Sequence, residues 1–396
     1  MKKATHQGTR EHNRHLVLKT VFEHDLTSRA EIARITSLTR TTVSEMIADL
    51  IQEGLVSEVG VGSSLGGKSP ILLSLEEDSR YLIGLDLAQD EFRGAIVNLR
   101  GKIKHMVTLP LSRQDSREPL ALVYQILDKL MQAACQPVIA ISAGTPGLVN
   151  TSEGVVVNAV NQDWRNLPLA SLLQKRYRLP VFVYNDSQAA AMGEFTYGSD
   201  HQAENNLVVI NVGHGIGSGI ILNGQLFQGD SGGAGEIGHI VVVLEGGRPC
   251  RCGHFGCLET VASGQALIQQ VQSTLVAKTG MPSWVSPQPL DLDVVEQLNA
   301  DGNLLVHELV ETAGRYLGLA AAILVGTLNI HRIVLVGEMT RFGQPWLEAV
   351  RSSMQQSALA TLAQDTQVEI GKLERNTIIL GVCALLSNNY ALLLGT

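Results

Sequence analysis

The chain has 396 residues, of which 45% are apolar and 17% are charged, and it contains 30 Lys and Arg against 38 Asp and Glu. This composition excludes a disordered chain and predicts two or three globular domains with a sizeable core. The net charge of −8 is uneven, because the head (residues 1–75) carries nine basic and eight acidic side chains, whereas residues 76–396 carry 21 and 30. An acidic body with a locally basic head is typical of a protein that contacts an anionic polymer at one end.

The first fifteen residues, MKKATHQGTREHNRH, contain no apolar run of the kind that a secretion signal requires. We therefore expect a cytoplasmic protein, in which clustered cysteines serve as metal ligands or catalytic groups more often than as disulfides. Cys135 and Cys383 lie in apolar contexts and are expected in the core. The uncharged tail 376–396 raises a transmembrane alternative, but the polar residues 387–389 at its centre are costly in a bilayer, so we expect a buried helix and no membrane insertion.

The head has the pattern of a winged helix-turn-helix domain. Apolar residues repeat with helical spacing over residues 13–22, and a second helix follows a capping box that begins at Ser28. After a short turn, a third helix begins at Thr39 or Arg40 and ends at Gly54. Two short β-like runs then flank GSSLGGKSP, which predicts a wing.

In this layout the second helix of the helix-turn-helix pair enters the major groove, where short polar side chains and cations suit base edges and phosphates. The residues expected to contact DNA are Arg10, Ser28, Arg29, Thr39, Arg40, Thr41, Thr42, Ser44 and Lys68. The alternative is a three-helix bundle that contacts another protein. The agreement of caps, turn and wing in order and length favours DNA binding.

The body contains an internal repeat at an offset of 125 residues. The segments IGLDLAQDEFRGAIVNLRG (83–101) and VINVGHGIGSGIILNGQ (209–225) each predict a strand, a turn and a second strand, with Asp86 aligned to Asn211. Such self-similarity predicts two α/β lobes that face each other across a cleft, where ligands commonly bind.

Polar residues near turns of the body point to a small-molecule site. The segment LPVFVYNDSQAAAMGEF predicts a strand that ends at Asn185 and Asp186, and the carboxyl ends of strands in α/β sheets often carry ligand groups. A helix cap is an equally good interpretation of this pair. Glu236 and Glu259 are further carboxylates near turns, and such acceptors suit a polyhydroxy ligand.

Three of the five cysteines fall within the eight residues CRCGHFGC. Together with a histidine they form a Cys3His set, which is typical of structural zinc and leaves no open position for an activated water. The predicted ligands are His239, Cys250, Cys252 and Cys257. His254 is an alternative fourth ligand, but the two glutamates just named bracket the loop that begins at His239. Reduced, buried thiols without a metal are the remaining alternative.

The sequence resembles the ROK family, which comprises repressors, uncharacterised reading frames and sugar kinases. The resemblance covers nearly the whole chain, and its most specific parts are GEIGHIVVV…CRCGHFGCLE, SAGTPGLVN, YNDSQAAAMGE and the head with its GGKSP wing. The head marks the repressor branch, since the kinases lack it. The resemblance implies an α/β fold of the actin-like (ribonuclease H-like) class, with two lobes over a sugar cleft and an N-terminal winged helix-turn-helix domain. The expected units are the DNA-binding domain at 1–75, a first lobe at 76–195 completed by a helix at 376–396, and a second lobe with the zinc site at 196–375.

Carried over by motif, the resemblance also implies which residues contact the sugar. They are Gly147, Asn161, Asn185, Asp186, Glu236, His239 and Glu259. In the kinases the residue that matches Asp186 is the base that activates a sugar hydroxyl. His239 would bind zinc on one side and a hydroxyl on the other.

Three nucleotide-binding elements of the family kinases are altered in this chain. An Asp-x-Gly-Gly-Thr turn is replaced by DLAQD at 86–90, a Gly-Thr-Gly turn by Gly-His-Gly at 213–215, and an adenosine-side Gly-Gly by Gly-Glu at 337–338. Phosphates need bare turns because backbone N–H groups must approach the anion, and Asp90 adds a negative charge instead. We therefore expect no enzymatic activity.

These observations predict a sugar-responsive transcriptional regulator, as a repressor of carbohydrate uptake or metabolism genes. A sugar or sugar phosphate would close the lobes and change the affinity of a homodimer or homotetramer for palindromic operator DNA. Two alternatives remain, namely a sugar kinase with an appended DNA-binding head and a repressor controlled by a sugar-transporter protein.

Overall fold

A computed structural model of the chain describes residues 6–63, 69–88, 90–111, 118–159, 162–198, 205–279, 290–387 and 390–394. Two predicted site residues, Lys68 and Asn161, lie outside these ranges. The described residues form a helical head followed by two α/β lobes, each built on a five-stranded sheet.

The head combines three helices with a small antiparallel sheet in the strand order β1–β3–β2. Its elements are α1 (His6–Glu23), β1 (Thr27–Ser28), α2 (Arg29–Thr36), α3 (Arg40–Gln52), β2 (Val56–Val61) and β3 (Ile71–Leu75). The hydroxyl of Ser28 accepts a hydrogen bond from the Glu31 backbone at 3.2 Å, and that of Thr39 accepts one from the Thr42 backbone at 3.2 Å. These N-caps start α2 and α3 where the sequence predicts them. The predicted helix-turn-helix and wing strands are therefore present, although α1 begins earlier than expected, because its polar first turns carry no apolar periodicity.

The first lobe is built on the sheet order β11–β7–β4–β5–β6, in which β4 pairs antiparallel with β5 and parallel with β7. A smaller sheet, β10–β9–β8, lies beside it. The elements are β4 (Tyr81–Leu87), β5 (Glu91–Asn98), β6 (Ile103–Pro110), α4 (Pro119–Ala133), β7 (Val138–Thr145), β8 (Leu148–Asn150), β9 (Val155–Ala159), β10 (Trp164–Leu167), α5 (Leu169–Tyr177), β11 (Val181–Asn185) and α6 (Asp186–Tyr197). Every residue of β4 is buried, as expected for a strand covered on both faces.

The second lobe repeats this topology in the sheet order β14–β13–β12–β15–β16. Its β12 pairs antiparallel with β13 and parallel with β15, as β4 does with β5 and β7, so the predicted repeat is confirmed. The elements are β12 (Leu207–Val212), β13 (Ile216–Leu222), β14 (Gln225–Phe227), α7 (Glu259–Ala262), α8 (Gly264–Thr279), α9 (Leu292–Ala300), α10 (Leu304–Leu328), β15 (Arg332–Val336), α11 (Gly343–Ser357), α12 (Ala360–Asp365) and β16 (Gln367–Ile370). Short 3-10 helices occur at Ile237–His239, Glu338–Phe342 and Glu374–Asn376.

The C-terminal segment returns to the first lobe and then reaches the head. Helix α13 (Thr377–Ser387) lies against α6 so closely that a Cβ atom on Gly381 would be 1.8 Å from the Ala189 carbonyl oxygen. Helix α14 (Tyr390–Leu394) follows, and its last two leucines are buried in the same apolar cluster as the head helices. The end of the chain therefore contacts both the first lobe and the head.

Helix α10 is, among the described residues, the one helix long and apolar enough to cross a membrane. Of its most apolar window, 56% is buried inside the protein. Its side chains at Val310, Leu317 and Val325 belong to the core of the second lobe. The helix therefore serves as a core element of that lobe.

Candidate functional site

A cavity of about 820 Å³ lies between the two lobes. The first lobe contributes the end of β4, the loop after β7 and the start of α6. The second lobe contributes the β12–β13 turn, the start of α7 and the start of the loop 239–257, which carries the predicted metal ligands and is here called the metal loop. The predicted sugar residues that line it are Gly147, Asn185, Asp186, Glu236, His239 and Glu259. All of the predicted sugar residues that the structure describes thus share one cavity.

Asn185 and Asp186 lie at the junction of β11 and α6 and have different local roles. The Asn185 side-chain oxygen accepts hydrogen bonds from the backbones of Ser187 at 3.0 Å and Gln188 at 3.1 Å, which caps α6. Its amide nitrogen donates to the Gly147 carbonyl oxygen at 3.0 Å. The helix-cap interpretation therefore applies to Asn185, while the Asp186 carboxylate lines the cavity.

Two buried carboxyl groups, those of Asp86 and Asp186, and the guanidinium of Arg93 lie on the side of the cavity that the first lobe forms, here called the first-lobe wall. Burial raises the pKa of Asp186 to about 6, against the opposing effect of the Ser187 hydrogen bonds and with a further contribution from Glu236. Burial raises the pKa of Asp86 to about 7, against the opposing charge of Arg93. When these groups ionise, they are acceptors in a site of low dielectric, where an unpaired charge is costly.

Glu259 connects the metal loop to the β12–β13 turn. Its carboxylate accepts two hydrogen bonds from the Arg251 guanidinium, at 3.0 and 3.1 Å, and one from the Ile216 backbone at 3.1 Å. The bidentate geometry fixes the carboxylate next to the cavity. A residue predicted to contact the sugar is therefore also a link between two loops of the second lobe.

The four predicted metal ligands converge on one point. Each of His239, Cys250, Cys252 and Cys257 offers one ligand atom, and these atoms all lie within 4.8 Å of one another. The Cys250 sulfur is 3.5 Å from His239 Nδ1, and the sulfurs of Cys252 and Cys257 are 3.6 Å apart. Tetrahedral zinc with ordinary bond lengths places its ligand atoms about 3.5–3.8 Å apart. The arrangement fits a four-coordinate metal ion.

Glycines shape the loop that carries the cysteines. Gly256 has a φ of +72°, and a Cβ atom there would lie 1.9 Å from the Val243 carbonyl oxygen, so a side chain is excluded. The Cys250 backbone donates to the His254 carbonyl oxygen at 2.7 Å, which closes the loop. The His254 ring is 3.6 Å from the Cys252 sulfur but is not part of the four-ligand group, so the geometry favours His239.

The predicted DNA-contacting residues lie at the start of α3 and on its neighbours in the head. Thr39, Arg40, Thr41 and Ser44 are exposed and Thr42 is half-buried. Two of the predicted cations are engaged within the head, since Arg10 pairs with Asp49 at 2.8 Å and Arg29 pairs with Glu58 at 2.8 Å. These pairs are solvent-exposed to different degrees and hence weak, so a phosphate can compete for either cation.

Comparison with known proteins identifies the family of the chain. A family model described as the ROK family matches residues 82–389, which is more than half of the chain. The chain belongs to the ROK family. This ROK protein is 30% identical over 382 residues to the xylose repressor of Caldicellulosiruptor bescii, and the alignment covers 94% of each chain.

One solved structure matches nearly the whole chain, and another matches about three quarters of it. A ROK family transcriptional regulator, described as a homolog of the E. coli MLC protein, is 27% identical, with a TM-score of 0.83 and coverage of 98% of both chains. A ROK family glucokinase from Streptomyces griseus, in complex with glucose and AMPPNP, is 26% identical with a TM-score of 0.69, and covers 77% of this chain and 98% of its own. The predicted family and actin-like, two-lobe α/β fold are confirmed.

The three turns that are expected to correspond to nucleotide-binding turns of the family kinases face the same cavity. Asp90, His214 and Glu338 all line it, the first from the first lobe and the other two from the second. Burial in the cavity raises the pKa of Glu338, and the negative charge of Asp90 raises it further. A carboxylate from each lobe thus lies at one of these turns, where it disfavours an anion in contact with it.

Two residues of the cleft were not identified from the sequence. Arg251 lies between two of the cysteines, and its pairing with Glu259 depends on the fold of the loop, so the sequence does not reveal it. Gln162 is buried and donates to the Leu87 carbonyl oxygen at 3.0 Å, a contact between residues 75 positions apart. The one sequence signal for Gln162 is its position next to Asn161 in NAVNQDW.

Proposed function

We propose that this ROK protein is a sugar-responsive, DNA-binding transcriptional repressor of carbohydrate uptake or metabolism genes that acts in the cytoplasm and has no kinase activity. The observation that carries the proposal is the joining of a winged helix-turn-helix head to a sugar-kinase-type cleft whose nucleotide half holds carboxylates. Similarity over nearly the full length to proteins named as repressors and transcriptional regulators supports it.

In this proposal the head reads operator DNA with the start of α3. Arg40, Thr41 and Ser44 reach base edges and phosphates, and Ser28 and Thr39 present their helix N-termini to the backbone. Arg10 and Arg29 exchange their acidic partners for phosphates. A homodimer or homotetramer with two-fold symmetry places two heads on a palindromic operator.

The cleft binds the sugar through the acceptors that line it. Asp186, whose counterpart in the kinases acts as a base, serves here as a hydrogen-bond acceptor, because the altered turns disfavour a phosphoryl group. Gly147 and Asn185 shape the first-lobe wall, and Glu236 and Glu259 accept hydroxyl donors from the second lobe. Sugar binding favours one arrangement of the lobes and thereby shifts the equilibrium between head positions.

A structural zinc ion completes the second lobe. His239, Cys250, Cys252 and Cys257 would hold it through one imidazole nitrogen and three thiolates, a donor set that fills a tetrahedron. A bound ion would supply structural order to this loop. The imidazole of His239 and the carboxylates of Glu236 and Glu259 line the cavity in which the sugar binds. Cys257→Ser should lose zinc, sugar response and stability together. A metal analysis of the variant that still finds one zinc ion per chain would contradict this assignment.

The proposed units are a DNA-binding domain at 1–75, a first lobe at 76–195 and a second lobe at 196–375, with 376–396 returning to the first lobe. The position of α13 against α6 supports this division. Because α6 begins at Asp186 and α14 reaches the head, this segment is also the proposed route by which the cleft influences the head.

The DNA-binding step is tested by selecting ligands from a random pool of double-stranded DNA with the full chain, and by measuring the affinity of the selected site with fluorescence anisotropy. Arg40→Ala should weaken binding about tenfold or more while leaving sugar binding unchanged. Arg315→Ala is the matched control, since Arg315 is an exposed arginine on the second lobe. Equal effects of the two substitutions would refute the assignment of α3.

The sugar response is tested by adding sugars to the protein–DNA complex and by following thermal unfolding with the same panel. A change of DNA affinity with one sugar supports the proposal. If DNA binds but no sugar alters affinity or melting, a sugar-transporter protein becomes the favoured signal. Sugar-dependent ATP turnover that Asp186→Asn abolishes would replace the repressor with a sugar kinase that carries a DNA-binding head.

A further inference from the structure

The first-lobe wall of the cleft holds two buried acceptor oxygens that have no hydrogen-bond partner among the described residues. They are Asp86 Oδ1 and Gln162 Oε1. Both residues line the cavity, and they are only 5% and 4% exposed. Buried polar atoms are almost always paired, so each of these oxygens points to a donor that the described residues do not supply.

The orientation of the Gln162 side chain follows from its other contacts. Its amide nitrogen lies 3.0 Å from the Leu87 carbonyl oxygen and 3.4 Å from the Ala88 carbonyl oxygen. Carbonyl oxygens only accept, so the nitrogen must occupy this side and the amide cannot be flipped. The remaining oxygen is therefore an acceptor, as the Asp86 carboxylate is when ionised.

The charges around Asp86 disfavour an anion. Burial raises the pKa of Asp86 to about 7. The positive charges of Arg93 and Arg375 lower this pKa, the negative charges of Asp186 and Glu91 raise it, and Arg375 is itself paired with Glu91 at 2.7 Å. Arg93 is committed to other partners, because it donates to the Arg375 carbonyl oxygen and to the Asn376 side-chain oxygen, the latter at 3.0 Å. A phosphate at this wall would meet carboxylates and would bring acceptors where the wall needs donors.

We infer that Asp86 and Gln162 form a hydroxyl-binding subsite on the first-lobe wall and that the effector is an uncharged sugar. Its hydroxyl groups donate to Asp86 Oδ1 and Gln162 Oε1, and a sugar that carries a phosphate on the end facing this wall is rejected. This inference rests on the proposed function, since it names the class of ligand for the same cleft. Asp86 thereby becomes a specificity-determining residue, although in the kinases its position belongs to a nucleotide-binding turn.

The test is isothermal titration calorimetry on the full-length, zinc-loaded protein at about pH 7.5. The probes are xylose, glucose, N-acetylglucosamine, glucose 6-phosphate and N-acetylglucosamine 6-phosphate. At least one uncharged sugar should bind, and its phosphate should bind at least about 100-fold more weakly, since it loses donors and gains repulsion. Asp86→Asn should lower the affinity for the uncharged sugar about tenfold. It should also reduce the ratio of this affinity to the affinity for the sugar phosphate.

Two further variants separate charge from hydrogen bonding. Asp163→Asn is the matched control, because Asp163 is an exposed carboxylate next to Gln162 with a φ of 54°, a backbone conformation that Asn tolerates. It should change neither affinity. Gln162→Met removes the neutral acceptor, so it should lower the affinity for the uncharged sugar. The carboxylate of Asp86 remains, so the affinity for the sugar phosphate should stay as low as in the unmodified protein. The melting temperature of each variant without sugar shows whether it is folded.

The outcomes distinguish this inference from the proposed function. A sugar phosphate that binds as tightly as its parent sugar, or an Asp86→Asn variant with an unchanged preference, overturns the inference and leaves the sugar-responsive repressor intact. Absence of binding by every sugar and every phosphate, with DNA binding preserved, instead overturns the sugar effector itself. A tenfold loss in Asp163→Asn would show that the effect of Asp86 is a general effect of charge and would also overturn the inference.

Discussion

Replacing Arg100 with alanine should loosen the contact between the head and the first lobe. Arg100 lies in the turn after β5, and its guanidinium sits 5.6 Å from the centre of the Phe22 ring. It donates to the Phe22 carbonyl oxygen and, at 3.2 Å, to the His24 carbonyl oxygen. These carbonyls end α1 and have no partner within the helix, so a side chain of the first lobe caps a helix of the head.

The magnitude follows from the exposure of these contacts. The Arg100 side chain is only 19% exposed, so its hydrogen bonds are largely shielded from water. A hydrogen bond from a charged donor contributes about 1.5–3 kcal/mol, and a cation–π contact about 0.5–1 kcal/mol. The nearby Asp25 contributes little, because its side chain is 97% exposed. Both hydrogen bonds come from one guanidinium, so we count them once and add the ring contact. We expect the substitution to cost about 2–4 kcal/mol, which raises the undocked population about 30- to 900-fold.

Hydrogen exchange followed by mass spectrometry measures this change. Amides in the last two turns of α1 should exchange faster in Arg100→Ala, while those in β12 and β15 should not change. Lys102→Ala is the control, because Lys102 lies in the same turn and its pair with Glu77 at 2.7 Å is exposed. If α1 exchanges at the wild-type rate in Arg100→Ala, or equally fast in Lys102→Ala, Arg100 does not dock the head on the first lobe.

Three further predictions concern local stability and pH. Thr39→Ala removes the N-cap of α3 and should lower the free energy of unfolding of the head by about 1 kcal/mol; an unchanged urea midpoint would argue against the cap. Gly381→Ala forces α13 away from α6 and should cost about 3 kcal/mol in thermal unfolding, whereas Gly326→Ala, with nothing within 4 Å, should be neutral or stabilising, and similar effects would disprove the close contact. Since the pKa of Asp186 is about 6, lowering the pH from about 8 to about 5.5 protonates about three quarters of it. In the Asp86→Asn variant, where the pKa of about 7 of Asp86 no longer contributes, this change should lower the affinity for sugar about fourfold by calorimetry. A pH-independent affinity would mean that Asp186 does not accept from the sugar.

The sequence predicts those parts of the fold that depend on local chemistry. The capping hydroxyls of Ser28 and Thr39 bond to the backbone three residues on, so a short window of sequence contains the whole interaction. The repeat is equally accessible, because each copy encodes the same pair of antiparallel strands. The four residues that could hold a metal ion are found for a similar reason, since three of them lie within one short loop.

Contacts between distant segments are the part that the sequence does not predict. The pairing of Arg10 with Asp49 depends on how α1 packs on α3, so the sequence alone does not reveal the acidic partner of this cation. Cys135 was predicted in the core and this was wrong: it is exposed, because the chain leaves α4 there and turns at the surface before β7. Cys383, which has a similarly apolar sequence context, is buried in α13 as predicted.

The burial of Leu393 and Leu394 among the head helices means that the first 75 residues are not a transplantable module. A chimaera that exchanges only this segment between family members would pack the head of one protein against the C-terminal leucines of another. It would also lose the match between Arg100 and the carbonyls it caps. Swapping binding specificity between relatives therefore requires three pieces to travel together: the amino-terminal segment, the β5–β6 turn and the final helix.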